Sequence, residues 1–202
     1  MYVLQKTRNT LRGLLQAYGT PGMKKFLWNV EFSGGGWACL DTTPGDCVYP
    51  YVEKYAANGC ILDLGCGSGS TANELAPTTY RDYTGVDISD VAIAKAIGRT
   101  KENGRGDKNH FFQSDFFSFL PNKQYDVILF RDSIYYVPMG KIKAMLQRYS
   151  RYLTKGGVFI VRLWGGGGSH KDKTIVNTIE RNFEIVETHL SDQPKAAVIV
   201  FR

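Results

Sequence analysis

The segment Asp63-Leu64-Gly65-Cys66-Gly67-Ser68-Gly69 is the first place in this chain where residue types and spacing suggest chemistry. Glycines at alternating positions let the backbone turn sharply and lie flat against a ligand, and a helix N-terminus beyond them offers free N–H groups. Asp63 leads this loop, two residues before the first glycine. A nicotinamide-dinucleotide fingerprint asks for glycine or alanine as its sixth residue, where helix and strand pack closely. Counted from Gly65 that place holds Ser70, which disfavours a nicotinamide-dependent oxidoreductase. Polar and aromatic side chains gather again in Arg131-Asp132-Ser133-Ile134-Tyr135-Tyr136-Val137-Pro138. His170 follows a flexible run, Gly165-Gly166-Gly167-Gly168-Ser169.

These groups need a frame. From Cys60 onward, apolar runs of strand length alternate with helix-period segments. Cys60–Leu64, Tyr83–Ile88, His110–Gln113, Tyr125–Phe130 and Val158–Val161 read as five strands, and Phe183–Thr188 and Ala196–Phe201 as two closing ones. One helix is expected from Ser70 to Ala76, stopped by Pro77, and another after the N-cap Ser89 with Val91, Ala94 and Ile97 on one stripe. A third carries Ile142, Met145, Leu146, Tyr149 and Leu153 and ends at Gly156-Gly157; a fourth holds Ile175–Ile179. Such alternation implies crossover connections and a parallel sheet with helices on both faces. The link around Ser191–Pro194 is too short for a crossover, so the last two strands form an antiparallel pair.

Residues 1–57 differ in texture. Leu4, Leu11, Leu14 and Leu15 support a helix before Gly19, and a second runs from Met23 to Phe32 until Ser33-Gly34-Gly35-Gly36 breaks it. Gly45-Asp46 precedes a third that continues through Tyr55. The arm is dense in aromatics (Trp28, Phe32, Trp37, Tyr49, Tyr51), which suit either an acceptor pocket or docking on the sheet.

The D-x-G-x-G-x-G pattern between a strand and a helix resembles the first motif of class I S-adenosylmethionine-dependent methyltransferases, and further matches follow in order. The resemblance runs from about residue 58 to the C-terminus and implies a Rossmann-like α/β fold. That is a doubly wound, seven-stranded, mostly parallel sheet with an antiparallel last strand over residues 58–202, here with residues 1–57 as an N-terminal helical lid. It implies S-adenosylmethionine as cofactor, held by Asp63, Gly65, Cys66, Gly67, Ser68 and Gly69. Asp87 in Val86-Asp87-Ile88-Ser89 would hold both ribose hydroxyls, with Ile88 beside it. Asp115 in Gln113-Ser114-Asp115-Phe116 would meet the adenine amine, with Phe116 alongside the ring. Arg131, Asp132 and Trp37 join the expected cofactor contacts. Two hydrogen bonds to a carboxylate are charge-assisted, each worth ~1.5–3 kcal/mol, which explains an acid at position 87.

The methyl of a sulfonium is already activated, so such an enzyme must align a nucleophile and exclude water; a base is needed only for a protonated acceptor. Tyr136, Tyr135, Asp132 and His170 are the candidate catalytic groups. Tyrosine can orient an acceptor through its hydroxyl but is a poor base at neutral pH. The Asn/Asp-Pro-Pro-aromatic tetrad of the family's base-amino methyltransferases is replaced here by Arg-Asp-Ser-Ile. Every cysteine lies before residue 67, away from the place of a pyrimidine-attacking thiol. Arg162-Leu163-Trp164-Gly165 stands where metal-dependent O-methyltransferases carry an Asp-Asn pair, so no metal is expected.

Composition narrows the setting. Two hundred and two residues with 43 % hydrophobic and 22 % charged side chains suit one ordinary globular domain. No apolar stretch approaches membrane-spanning or secretory length, and the four cysteines show no metal or disulfide spacing, so a cytoplasmic protein with reduced thiols is expected. The formal charge is +6, and between Ser133 and Lys171 seven basic residues face no acidic one. A track for phosphates and a solvated helix face both fit that run, the second better, because no stacking aromatics accompany it. The expected acceptor is an O or N nucleophile of a small molecule. RNA is the alternative substrate, and a non-catalytic S-adenosylmethionine- or nucleotide-binding module the alternative role.

Overall fold

The structure is a computed structural model that describes residues 12–35, 42–193 and 195–202. Its strands are β1 (Gly59–Leu64), β2 (Tyr80–Asp87), β3 (Asn109–Gln113), β4 (Tyr125–Arg131), β5 (Leu153–Trp164), β6 (Ile185–Asp192) and β7 (Lys195–Phe201). They form one seven-stranded sheet in the order β3-β2-β1-β4-β5-β7-β6. β1 to β5 are parallel, and β7 runs antiparallel to both β5 and β6. The helices are α1 (residues 12–18), α2 (Pro21–Ser33), α3 (Tyr49–Ala56), α4 (Ser70–Glu74), α5 (Asp90–Glu102), α6 (Ile142–Ser150) and α7 (His170–Asn182).

Alternation along the central strands builds two cores. Leu62, Leu64, Ile128, Phe130, Phe159 and Val161 point to the face covered by α6 and α7. Ile61, Val127, Leu129, Val158 and Ile160 point to the other, where Val48, Val52 and Ala56 of the α3 region cover them. The third helix of the arm is therefore built into the core. α2 lies beside α5 instead, tied by Ser89 Oγ to Asn29 Oδ1 at 2.7 Å and by Lys95 Nζ donating to the Phe32 carbonyl at 2.7 Å.

Three expectations are corrected. First, α6 stops at Ser150 and Leu153 begins β5, so Gly156-Gly157 lies inside a strand and ends no helix. There the pairing with β4 jumps from Tyr125↔Leu153 to Val127↔Val158, and a Cβ on Gly157 would stand 2.8 Å from the Tyr125 carbonyl oxygen. The glycines accommodate a bulge. Second, α5 buries Ala92, Ile93, Ala96 and Thr100, while Ala94 and Ile97 are exposed. Its inner face must pass close to Gly69, and small side chains allow that approach. Third, α1 turns Gln16 and Ala17 inward and leaves Leu14 exposed; Leu4 and Leu11 lie outside the described residues.

Candidate active site

The strand order reverses between β1 and β4, where the chain continues to opposite sides of β1. In open α/β sheets a crevice opens at such a point, beyond the carboxyl ends of the strands. A cavity lies there, and each strand end supplies part of its wall. β1 leads into Gly65, Cys66, Gly67 and Ser68; β2 ends on Asp87 and Ile88; β3 leads to Asp115 and Phe116. β4 ends on Arg131 and continues into Asp132, Ser133 and Tyr136. Gln16, Lys24, Trp28 and Phe32 of the arm complete the wall.

Gly65 sits at φ +85°, and a Cβ there would stand 2.4 Å from Ser133 Cβ. Ser133 is locked in turn, its hydroxyl donating to the Leu64 carbonyl. Gly67, at φ +54°, leaves room for the Phe32 ring, 3.4 Å from where its Cβ would be. Gly69, at φ +76°, does not line the cavity, and its missing Cβ would meet Ala96 Cβ at 2.8 Å. It packs α5 against the loop.

The Asp87 carboxylate organises the loop from below. Oδ2 accepts from the Gly67 N–H at 3.0 Å and Oδ1 from the Ser89 N–H at 2.9 Å. Burial raises its pKa to about 6, against the lowering effect of those backbone donors. Asp63 is fully buried, and burial pushes it to about 7 despite the Tyr83 hydroxyl donating to Oδ2 and the positive field of Arg131. Its Oδ1 has no partner. Asp115 Oδ1 accepts from the Phe117 N–H at 2.8 Å, fixing the turn after β3. Burial also raises the Cys66 thiol well above its usual range, so it is a packing group and no nucleophile.

A buried ionic network closes the β4–β5 side. Arg131 donates to Asp46 Oδ2 at 2.7 Å and to the Ser70 hydroxyl at 3.0 Å. Arg162, on β5 and 2 % exposed, reaches Asp46 Oδ1 at 3.1 Å and pairs with Asp132 Oδ2. Asp132 adopts φ +54°, a left-handed backbone unusual for a non-glycine residue. The Tyr135 hydroxyl donates to Asp132 Oδ1 at 2.7 Å and accepts from the Trp164 N–H at 2.8 Å. Both oxygens of Asp132 are thus occupied.

Of the candidate catalytic groups, the structure brings Tyr136 and Asp132 to the cavity. Tyr135 does not line it: its hydroxyl is spent on Asp132 and β5, and burial drives its pKa far up. His170 does not line the cavity either. It opens α7 at the exposed end of the glycine turn, where Ser169 and Asp172 form a capping box. Trp37 lies outside the described residues. Gln16, Lys24, Ser70 and Thr71 line the cavity without having been singled out as site residues. The pair Ser70-Thr71 was legible as a helix start after a glycine loop; Gln16 and Lys24 carried no such signal. The basic run between Ser133 and Lys171 is only partly a surface feature. Arg162 is buried, and Arg148 donates to the carbonyls of Phe116, Phe117 and Phe119.

Residues 61–157 match a family model described as a methyltransferase domain. The chain is 29 % identical over 105 residues to a sterol 24-C-methyltransferase of Gibberella zeae, an overlap covering 52 % of this chain and 27 % of that protein. It is 29 % identical over 119 residues to an mRNA cap guanine-N(7) methyltransferase of Cryptococcus neoformans, covering 52 % of this chain and 19 % of that one. The chain thus spans about a quarter or less of the length of these two relatives. Among solved structures it resembles the N-methyltransferase NodS of Bradyrhizobium japonicum in complex with S-adenosylhomocysteine. The TM-score is 0.62 at 20 % identity, over 76 % of this chain and 84 % of that one. The magnesium protoporphyrin IX methyltransferase of Synechocystis, with bound S-adenosylmethionine, has a TM-score of 0.59 at 18 % identity, over 89 % and 83 %. The glycine loop after β1 and the acid closing β2 both fall within the stretch that matches the methyltransferase-domain model, and the sheet shares its fold with these methyltransferase structures.

Proposed function

We propose that this protein transfers a methyl group from S-adenosylmethionine to an oxygen or nitrogen nucleophile of a small molecule, in the cytoplasm. The observation that carries the reading is Asp87. It is a buried carboxylate at the cavity wall, held by the Gly67 and Ser89 N–H groups, with lone pairs left over for a diol.

The residues present fit that cofactor. Gly65 and Gly67 leave the loop bare, and Asp115, Phe116 and Ile88 form a pocket end suited to an adenine. Arg131 and the unpartnered Oδ1 of Asp63 suit the carboxylate and ammonium of a methionine moiety. Bound there, S-adenosylmethionine would supply a methyl group activated by its sulfonium. The remaining work falls to the chain: Trp28, Phe32 and Tyr136 exclude water, and Tyr136 offers a hydroxyl to orient the acceptor. Burial pushes Tyr136 up to about 12, so it holds its proton. Asp132 is tied to Arg162 and Tyr135. This favours an acceptor whose nucleophilic atom already has a free lone pair at neutral pH.

RNA is a second reading, favoured by the relatives named mRNA cap guanine-N(7) methyltransferases and by the net charge of +6. The inward use of Arg148 and Arg162 weakens it. Calorimetry with S-adenosylhomocysteine and NAD tests the cofactor, and tight NAD binding without an S-adenosylhomocysteine signal would end the proposal. Labelled methyl transfer into small-molecule and RNA fractions of a cell extract separates the two acceptors. Binding with no transfer into either would leave a binding module.

A further inference from the structure

We infer that Gln16 donates a hydrogen bond to an oxygen of the methyl acceptor, which makes that acceptor a molecule carrying a carbonyl or carboxylate group. The inference rests on the methyl-transfer reading above. Gln16 lines the cavity and is 5 % exposed, yet its side-chain nitrogen is buried without a hydrogen-bond partner. An amide nitrogen carries two donors, and native structures rarely leave such a group orphaned unless a ligand completes it. The groups suited to the cofactor sit on the strand ends, whereas Gln16 comes from the arm.

Its surroundings define what else the acceptor meets. Arg12 and Gln16 are four residues apart on α1 and share a face, and Arg12 reaches across to Glu31 of α2 at 2.8 Å. Gln16, Trp28 and Tyr136 line the same cavity. Tyr136 meets Trp28 edge to face, with centroids 4.7 Å apart and planes at 87°. A donor beside this packed aromatic surface suits a ligand with an apolar body and an acceptor oxygen. An apolar ligand of the same shape would leave the amide unpaired and be discriminated against.

The test uses the full chain saturated with S-adenosylhomocysteine and two probes of one planar skeleton: acetophenone, which carries the oxygen, and α-methylstyrene, which has a CH2 in its place. Affinities of both are measured for wild type and for Gln16→Leu. The ratio of the two affinities should shift toward α-methylstyrene by about fivefold or more in the variant. S-adenosylhomocysteine affinity should stay the same. The empty variant should melt at the same temperature or higher, because a buried unpaired donor has been removed. An unchanged ratio would overturn the inference, as would failure of the wild type to bind either probe. A variant that loses both thermal stability and S-adenosylhomocysteine affinity would mark Gln16 as structural and overturn it equally. Failure of the underlying reading would show separately, as a wild-type protein that does not bind S-adenosylhomocysteine.

Discussion

Replacing Asp87 perturbs the site at its most connected acid. Two hydroxyl hydrogen bonds to a carboxylate are worth ~3 kcal/mol or more together, so Asp87→Ala should weaken S-adenosylhomocysteine binding at least about a hundredfold at neutral pH. The substitution also frees the Gly67 N–H, which now rests on Oδ2 at 3.0 Å, so the loop loses its anchor with the ligand. A pH signature accompanies the loss. Burial holds the carboxyl at about 6 instead of 3.8, an opposition to ionisation of about 3 kcal/mol. A diol needs the ionised form, so affinity should fall as pH drops through 6, approaching tenfold per unit below it. Stability of the empty protein moves oppositely. The folded state keeps a proton that the unfolded chain releases near 3.8, so this contribution is fully present below that pH. It is lost as pH rises through about 6 for Asp87 and about 7 for Asp63. Calorimetric titration from about pH 5 to about pH 8, on wild type, Asp87→Ala and Asp87→Asn, measures all of this. Wild-type affinity in Asp87→Ala would refute the reasoning, as would an acid-side slope in Asp87→Asn as steep below pH 6 as that of the wild type, since only the part due to Asp63 should remain.

Arg162→Met leaves buried Asp46 and half-buried Asp132 without their shared cation and should cost ~3–5 kcal/mol, read as a lower urea midpoint with unchanged slope. Gly69→Ala places a methyl against Ala96 at a positive φ and should cost ~1–3 kcal/mol in stability. Because Gly69 lies off the cavity wall, that variant should bind S-adenosylhomocysteine nearly normally when folded, whereas Gly65→Ala should lose both. Methyl transfer should persist in EDTA, since Arg162-Leu163-Trp164-Gly165 closes β5 where a metal-binding acid–amide pair would stand; activity restored only by magnesium would contradict this. Deleting residues 1–36 removes Trp28 and Phe32 from the cavity and should abolish transfer while a cooperatively melting core still binds S-adenosylhomocysteine more weakly. Full turnover by that truncation would sink the idea of an N-terminal lid.

The sheet was legible because its parallel strands are buried on both faces: Cys60–Leu64 and Tyr125–Phe130 are apolar runs broken only by Asp63 and Asp126, and the short 191–194 link leaves only an antiparallel return. The cofactor side was legible because backbone geometry dictates its residue types, glycine at positive φ and an acid at a strand end. Gly156-Gly157 misled because a bulged strand and a helix stop ask for the same residue. The α5 stripe misled because close packing on Gly69 selects Ala96 over the larger Ile97, a tertiary demand invisible in local periodicity. Arg162 stood just past an expected strand, and only the approach of the 44–48 segment from the arm shows that two carboxylates meet it. Gln16 was illegible for the same reason: its burial depends on where α1 is laid.

The position of β7 has a consequence for how the chain leaves the ribosome. Lys195–Phe201 pairs with both β5 and β6, so the sheet gains an interior strand that is synthesised after its other six strands. Until it emerges, β5 offers a row of unpaired backbone groups flanked by Val158, Phe159, Ile160 and Val161, all but buried in the finished molecule. An open edge of that composition is a template for pairing with another nascent chain. β6 cannot cap it, since its partner is β7 alone. Chaperone dependence should therefore concentrate in the interval between synthesis of Trp164 and release of Phe201. A stop between Lys195 and Phe201 should give inclusion bodies more readily than one that removes β5, α7 and the β6–β7 hairpin together.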